Sequence, residues 1–389
     1  TGGRPRDGGA RVTGGRDGFG FAALVFGLLA FAVDVMDPEG FRLVSALPLG
    51  PLPLAFVLAL GVWTAWVRPR SFGRSLILLA GVALAMIAAA AAVYDPAVLG
   101  RAGLSFWCFV AAIWALAWRA IDAIARRRHQ ARGAQRAIDI LVPAAFGLWI
   151  LFLWEMMVAG FGVPQVLLPA PSMVAARIAG ALDILAADFR QTFLKSVLAG
   201  YAIGCGAGFL VAILVDRVPF LQRGLLPIGN LASALPIIGV APIMVMWFGF
   251  DWQSKAAVAV IMTFFPMLTN TVAGLAAAQR IDLELLRSYG AGYWQTLFKL
   301  RLPAALPFIF NALKINSTLA LIGAIVAEFF GTPIVGMGFR ISTEVGRMNV
   351  DMVWAEIVVA ALAGSAFFGV IALVERAFTF WHPSYRRRA

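Results

Sequence analysis

Residues 73–93 read GRSLILLAGVALAMIAAAAAV. One basic side chain near the start gives way to an unbroken apolar run, with no alternation of polar and apolar positions. A membrane-barrel strand alternates over about ten residues, whereas a run like this one is apolar on every face, as a helix surrounded by lipid must be. About 20 such residues cover a hydrocarbon core of about 30 Å, so the stretch is long enough to cross. Its reading fixes the class as helical and membrane-embedded.

Runs of the same kind recur at 19–36, 48–67, 74–94, 103–118, 138–159, 194–215, 225–248, 255–277, 303–327 and 352–376. They predict an all-α, polytopic membrane protein of about ten transmembrane helices. Composition agrees: of 389 residues 61% are hydrophobic and only 13% charged, with a mean hydropathy of +0.86. The formal net charge is +12. Placing the N-terminus in the cytoplasm gathers most of the basic residues in inside loops, including Arg68, Arg70, Arg119, Arg126, Arg136, Arg217, Arg223, Arg280, Arg287, Lys299 and Arg301. That asymmetry predicts that both termini are cytoplasmic. It also assigns the positive charge to an anionic inner leaflet and leaves nucleic acid without a role.

Four segments follow from these runs. Residues 1–18 form a Gly/Arg-rich lead with the composition of a disordered segment. Residues 19–118 hold four of the expected spans, 119–137 a basic cytoplasmic linker, and 138–385 the remaining six. The upstream block carries little intramembrane polarity, and Asp34 is expected at its interface. Cys108 and Cys205 both lie in apolar runs and read as buried small side chains. The two histidines, His129 and His382, form no cluster with the spacing of a metal site.

The downstream block carries the functional signals. Prolines in GVPQVLLPAP at 162–171 forbid helix, and Ser172 is a candidate N-cap for a helix over 173–187. Gly200, Gly204 and Gly208 recur every four residues and strip one helix face for close packing. Pro236, Pro242, Pro266, Pro303 and Pro307 predict bent or broken helices. Polar residues inside these spans nominate Asn270, Asn311, Lys314, Asn316 and Thr318 as the lining of a solute path. Lys314 either faces inward or snorkels toward the cytoplasmic end.

Between the eighth and ninth apolar runs lies a polar interruption at 282–303, DLELLRSYGAGYWQTLFKLRLP. Asp282 reads as the N-cap of a short helix with Leu283, Leu285, Leu286 and Tyr289 on its apolar face. Gly290 and Gly292 break it, and a second helix from Tyr293 runs to Pro303 and the next span.

Glu284-Leu285-Leu286, three residues, Gly290, nine residues, then Leu300-Arg301-Leu302-Pro303 resembles the EAA loop of permease subunits of bacterial ABC importers. In that loop two alanines follow the glutamate and isoleucine stands where this chain has Leu300. ALPIIGVAPIMVMWFGF at 234–250 and LIGAIVAEFFG at 321–331 are similar to the nitrate/sulfonate/taurine branch, which includes permeases for pyrimidine precursors of thiamine. The likeness covers about 138–385 and says nothing of 19–118.

The resemblance implies a permease subunit of the bacterial inner membrane, working by alternating access. Asp282, Glu284, Leu285, Leu286, Ser288, Tyr289, Gly290, Ala291, Leu302 and Pro303 would then seat a cytoplasmic ATPase. It implies two ATPase subunits, a second copy of this permease, and a periplasmic binding protein meeting the loop at 328–351 with Glu328, Arg340, Glu344 and Arg347. None of the four lysines follows a Gly-x4-Gly pattern, so ATP and Mg belong to the partner chain and this chain is not an enzyme. The solute expected is a sulfonate, taurine or nitrate-like anion, or a pyrimidine-type precursor. An ion-coupled secondary carrier is the alternative, for which Glu155 and Glu356 are the candidate carboxylates, and a membrane-embedded enzyme stands behind it.

Overall fold

The computed structural model describes residues 18–36, 43–66, 72–96, 98–126, 132–233, 236–331 and 334–380. Most of the basic lead, the middle of the basic linker at 127–131 and the chain beyond 380, with His129 and His382, lie outside them. The described residues divide into two compact units, Thr1–Met173 and Val174–Ala389.

The first unit contains α1 (Gly18–Met36), α2 (Leu43–Ala46), α3 (Leu52–Trp66), α4 (Phe72–Val93), α5 (Leu104–Ala125) and α6 (Arg132–Phe161). Its core is aliphatic and aromatic, with Leu54, Leu78, Phe106, Phe109, Ile113, Leu116 and Met156 fully buried. Asp34 is buried and accepts the Leu43 backbone N–H, which joins α1 to α2. Gly100 and Gly162 both have positive φ, and their backbones touch where the loop before α5 meets the end of α6. A side chain at either position would separate the two. Glu155 accepts the Ser172 backbone N–H at 2.9 Å, the Ser172 hydroxyl at 2.6 Å and the Tyr94 hydroxyl. Ser172 therefore sits within the first turn of α7 (Pro171–Gly180) and is bonded to Glu155, and the helix expected over 173–187 is interrupted at Ala181.

The second unit continues with α8 (Leu182–Phe189), a π-helical turn at Arg190–Val197, and α9 (Leu198–Arg217), which form one rod. Then come α10 (Pro219–Ser233), α11 (Ile237–Phe248), α12 (Trp252–Ala276), α13 (Arg280–Ser288) and α14 (Tyr293–Thr296). A second π turn, Leu297–Arg301, leads into α15 (Leu302–Glu328), followed by α16 (Met337–Gly346) and α17 (Val350–Phe378). Helix α12 is central and packs against both α9 and α15. The glycine stripe makes the first of these contacts close. A Cβ on Gly208 would lie 2.5 Å from the Phe264 carbonyl oxygen, and one on Gly200 2.5 Å from the Ala259 methyl. Gly204 lies against Thr263 in the same way.

Seven described helices, rather than about ten, are long and apolar enough to cross a membrane: Gly73–Val93, Leu104–Ala125, Gln135–Phe161, Leu182–Arg217, Trp252–Ala276, Tyr293–Glu328 and Val350–Phe378. Three expected spans fall short. The one at 48–67 loses its beginning to a turn at Leu49 and Gly50, both at positive φ, and to Pro51, which leaves a helix of 15 residues. At 1.5 Å per residue that is about 22 Å, less than the hydrocarbon thickness. The one at 225–248 is divided between α10, which ends at Ser233, and α11, which starts at Ile237 with Pro236 as its N-cap, helices of 15 and 12 residues. The apolar part of α1, Gly18–Asp34, is also short, and it ends where Asp34 turns to bond α2.

Candidate functional site

The interruption at 282–303 folds as a short helix and a sharp turn. Helix α13 starts two residues before Asp282, with Gln279 as its N-cap, so Asp282 lies in the first turn, where a carboxylate meets the positive end of the helix dipole. The helix ends in a Schellman cap: the Ala291 N–H bonds the Leu286 carbonyl at 3.0 Å and the Gly290 N–H the Arg287 carbonyl at 3.0 Å. Gly290 has φ +72°, which a side chain disfavours, so glycine is the residue this cap requires. No residue of α13 is buried. Ile281, Leu285 and Tyr289 fall four apart on one stripe and are 74%, 53% and 80% exposed. Glu284 and Ser288 are exposed too, whereas Leu286, Leu302 and Pro303 are half-buried. Ile281 escaped the sequence reading because it precedes the motif.

The turn after α13 is tied down at its far end. Gly292 caps α14, with its N–H bonded to the Gln295 side chain at 3.1 Å. The π turn at Leu297–Arg301 then carries the helix past Pro303, whose ring would clash with the carbonyl four residues back in regular α geometry. Arg301, on this turn, donates Nη1 to Asp216 Oδ2 at 2.7 Å, Nη2 to Asp216 Oδ1 at 2.6 Å and Nε to the Leu275 carbonyl at 3.0 Å. The Tyr293 hydroxyl bonds Asp216 Oδ2 at 3.1 Å, and the Arg217 guanidinium lies 5.5 Å from the ring centres of both Tyr293 and Trp294. The loop is thereby fixed to the last turns of α9 and α12. Asp216, Arg217 and Arg301 were not among the expected site residues, and their sequence separation hid the pairing.

The five candidate path residues are not gathered on one surface. Asn316 is fully buried and donates to the Thr263 carbonyl at 2.8 Å and to Cys205 Sγ at 3.2 Å. Lys314 pairs with Glu375 of α17 at 2.8 Å, which accounts for a charge within the span without snorkelling. Asn270 donates to the Pro266 carbonyl at 2.8 Å. Asn311 and Thr318 share an exposed face of α15 with Ile315 and Ile322.

At the end of α12 remote from α13, a polar network holds the loop that follows α15. Glu328, 1% exposed, accepts the Thr192 hydroxyl at 2.8 Å and the Gly338 N–H at 2.7 Å. Asp188 accepts the Gly336 N–H at 2.6 Å and Arg340 Nε at 2.8 Å, and this bond raises the Arg340 pKa above its ordinary value. Of the four residues nominated for a partner, Glu328 and Arg340 are thus engaged within the chain, and Arg347 reaches Glu344 at 3.3 Å.

A sequence profile described as "Binding-protein-dependent transport system inner membrane component" matches residues 204–380. The formylaminopyrimidine transport permease protein ThiX of Halalkalibacterium halodurans is 32% identical over 251 residues, which cover 64% of this chain and 98% of that protein. The riboflavin transport system permease protein RibX of Chloroflexus aurantiacus is 30% identical, over 62% of this chain and 90% of that protein. A putative aliphatic sulfonates transport permease protein of Bacillus subtilis is 28% identical, over 63% and 88%.

Proposed function

Because the chain belongs to the binding-protein-dependent transport system inner membrane components, the permease subunits of ABC importers, we propose that α13 is the seat of its ATPase and that 138–385 forms its transport core. The chain is a multi-pass inner-membrane permease for a small polar solute and is not itself catalytic; its importer also includes ATPase and binding-protein components. The observation that carries the ATPase seat is the bare stripe Ile281, Leu285 and Tyr289 on a helix capped at Gly290 and anchored through Arg301. An uncovered apolar face on a rigid polar loop fits a protein groove better than water. Movement imposed on α13 passes through the Arg301 anchor into α9 and α12, the rigid-body transmission that alternating access needs.

The stoichiometry is two ATPases on two identical permeases, with a binding protein at the opposite face. The loop and the C-terminus after α17 lie in the cytoplasm; the N-terminal assignment rested on ten crossings and does not carry over to seven. Residues 19–118 are an added block, consistent with 251 residues of this chain covering nearly all of the formylaminopyrimidine permease. The solute is a sulfonate, taurine or nitrate-like anion or a pyrimidine-type precursor, in keeping with the names of the relatives. Asn311 and Thr318, on the open face of α15, are the path residues best placed to meet it.

Reconstituted vesicles test this reading. Uptake should require ATP together with the ATPase and the binding protein. Uptake driven by a proton gradient alone would establish the ion-coupled carrier instead.

A further inference from the structure

The π turn at Arg190–Val197 opens onto a cavity of about 660 Å³, within the range of small-molecule sites. Residues five apart on an α-helix point about 140° away from each other. The i to i+5 bonding of a π turn brings them to one side, and such turns mark functional positions often. Arg190 and Lys195 are five apart on this turn, and both line the cavity.

Ala187, Phe250 and Val335 supply an apolar wall, and Gln191 and Asp251 supply the polar remainder. Gln191 is 8% exposed and donates Nε2 to Asp251 Oδ1 at 2.8 Å. That bond, with one from the Trp252 backbone N–H and the nearby charges of Lys195 and Lys255, holds the Asp251 carboxyl below its ordinary pKa, so it stays ionised. An amide thus occupies an oxygen of the carboxylate, and Lys195 acts on Asp251 through its charge. Among the described residues neither Arg190 nor Lys195 has a carboxylate partner. Around the same end of the unit the other arginines are paired: Arg177 with Asp351 at 2.7 Å, Arg340 with Asp188 at 2.8 Å and Arg347 with Glu344 at 3.3 Å. Two cations against one carboxylate leave the cavity lining net positive.

We propose that this cavity receives a small anion, its charged group between Arg190 and Lys195 and any aliphatic part against Phe250. The position suits reception of solute. Asp251 immediately precedes α12, and the 25 residues of that helix, about 37 Å long, separate the cavity from the loop that bears α13. The proposal rests on the permease reading insofar as that loop faces the ATPase, which puts the cavity on the side where solute arrives.

Titrations of the full chain in lipid nanodiscs at constant ionic strength test it, with methanesulfonate, acetate and bicarbonate as probes and dimethyl sulfone as the neutral counterpart of methanesulfonate. Trp252, beside Asp251, provides a fluorescence signal. At least one anion should bind saturably and the sulfone should not. Arg190→Gln and Lys195→Gln should each weaken binding about tenfold or more. Asp251→Asn should tighten it, a gain that misfolding cannot mimic. Saturation by none of the anions, an equal response to the sulfone, or unchanged affinity in both cation variants overturns the proposal. So does loss of binding-protein affinity with anion binding intact, which would make the two cations a docking contact. ATP-dependent uptake by wild-type vesicles without anion binding rejects the cavity alone, whereas no ATP-dependent uptake rejects the permease reading.

Discussion

Arg301 grips both oxygens of Asp216 with parallel bonds of 2.7 and 2.6 Å and spends its remaining Nε–H on the Leu275 carbonyl at 3.0 Å. One guanidinium therefore joins the helix leaving the α13 loop to the ends of α9 and α12. The pair is largely withdrawn from solvent, with side-chain exposures of 19% and 9%. Its planar fork matches the carboxylate in a way that an ammonium cannot.

Arg301→Lys and Asp216→Asn are expected to uncouple the importer: ATP hydrolysis persists while solute uptake falls. Breaking one side of such a pair costs about 3–5 kcal/mol when the other charge stays buried, so thermal stability should drop as well. The exchange of the two residues, Asp216→Arg with Arg301→Asp, should recover part of the uptake per ATP hydrolysed. Normal coupling in both single variants would remove Arg301 from the transmission path.

Gly290→Val should damage the seat and spare the spans. A β-branched residue at φ +72° is strained by at least about 1–2 kcal/mol, which the exposed α13 has no packing to offset. Reduced co-purification with the ATPase at unchanged Tm is the expected result, and full retention of the ATPase would detach the Gly290 cap from docking.

Where a signal in this chain is local, the sequence displays it. The glycine spacing at 200, 204 and 208 foretold a close helix contact because each missing side chain acts at its own position. The break of α13 at Gly290 was legible for the same reason. The count of spans was not, because apolarity at 48–67 and 225–248 reports what lipid or core tolerates, whereas the turn at Leu49 and Gly50 and the helix start at Pro236 set how much of it is one helix. Pairings across long sequence distances stayed hidden: Lys314 meets Glu375 61 positions on, and Arg301 meets Asp216 85 positions back. The π turn that aligns Arg190 with Lys195 has no residue signature either.

Gly204→Leu should prevent α9 from approaching α12. Even a Cβ there conflicts with the Thr263 hydroxyl, and Val260 lies directly behind it. Overpacking of this kind costs about 1–3 kcal/mol, and a Tm several degrees lower is expected. Gly206→Leu, at a position with open space around it, is the matched control and should leave Tm unchanged.

Thr192 stands at the centre of the network behind α16: its hydroxyl donates to Glu328 at 2.8 Å and accepts the Met337 N–H at 2.8 Å. Thr192→Val keeps the shape and removes both functions, leaving a buried N–H without an acceptor and Glu328 with one donor fewer. Each unsatisfied buried group costs about 1–3 kcal/mol. The start of α16 at Gly336–Gly338 should then open to proteolysis at a temperature where the wild type resists. Thr192→Ser, which retains the hydroxyl and loses one methyl, should stay close to wild type. Equal sensitivity of the two variants would mean that the methyl, not the hydroxyl, holds the start of α16.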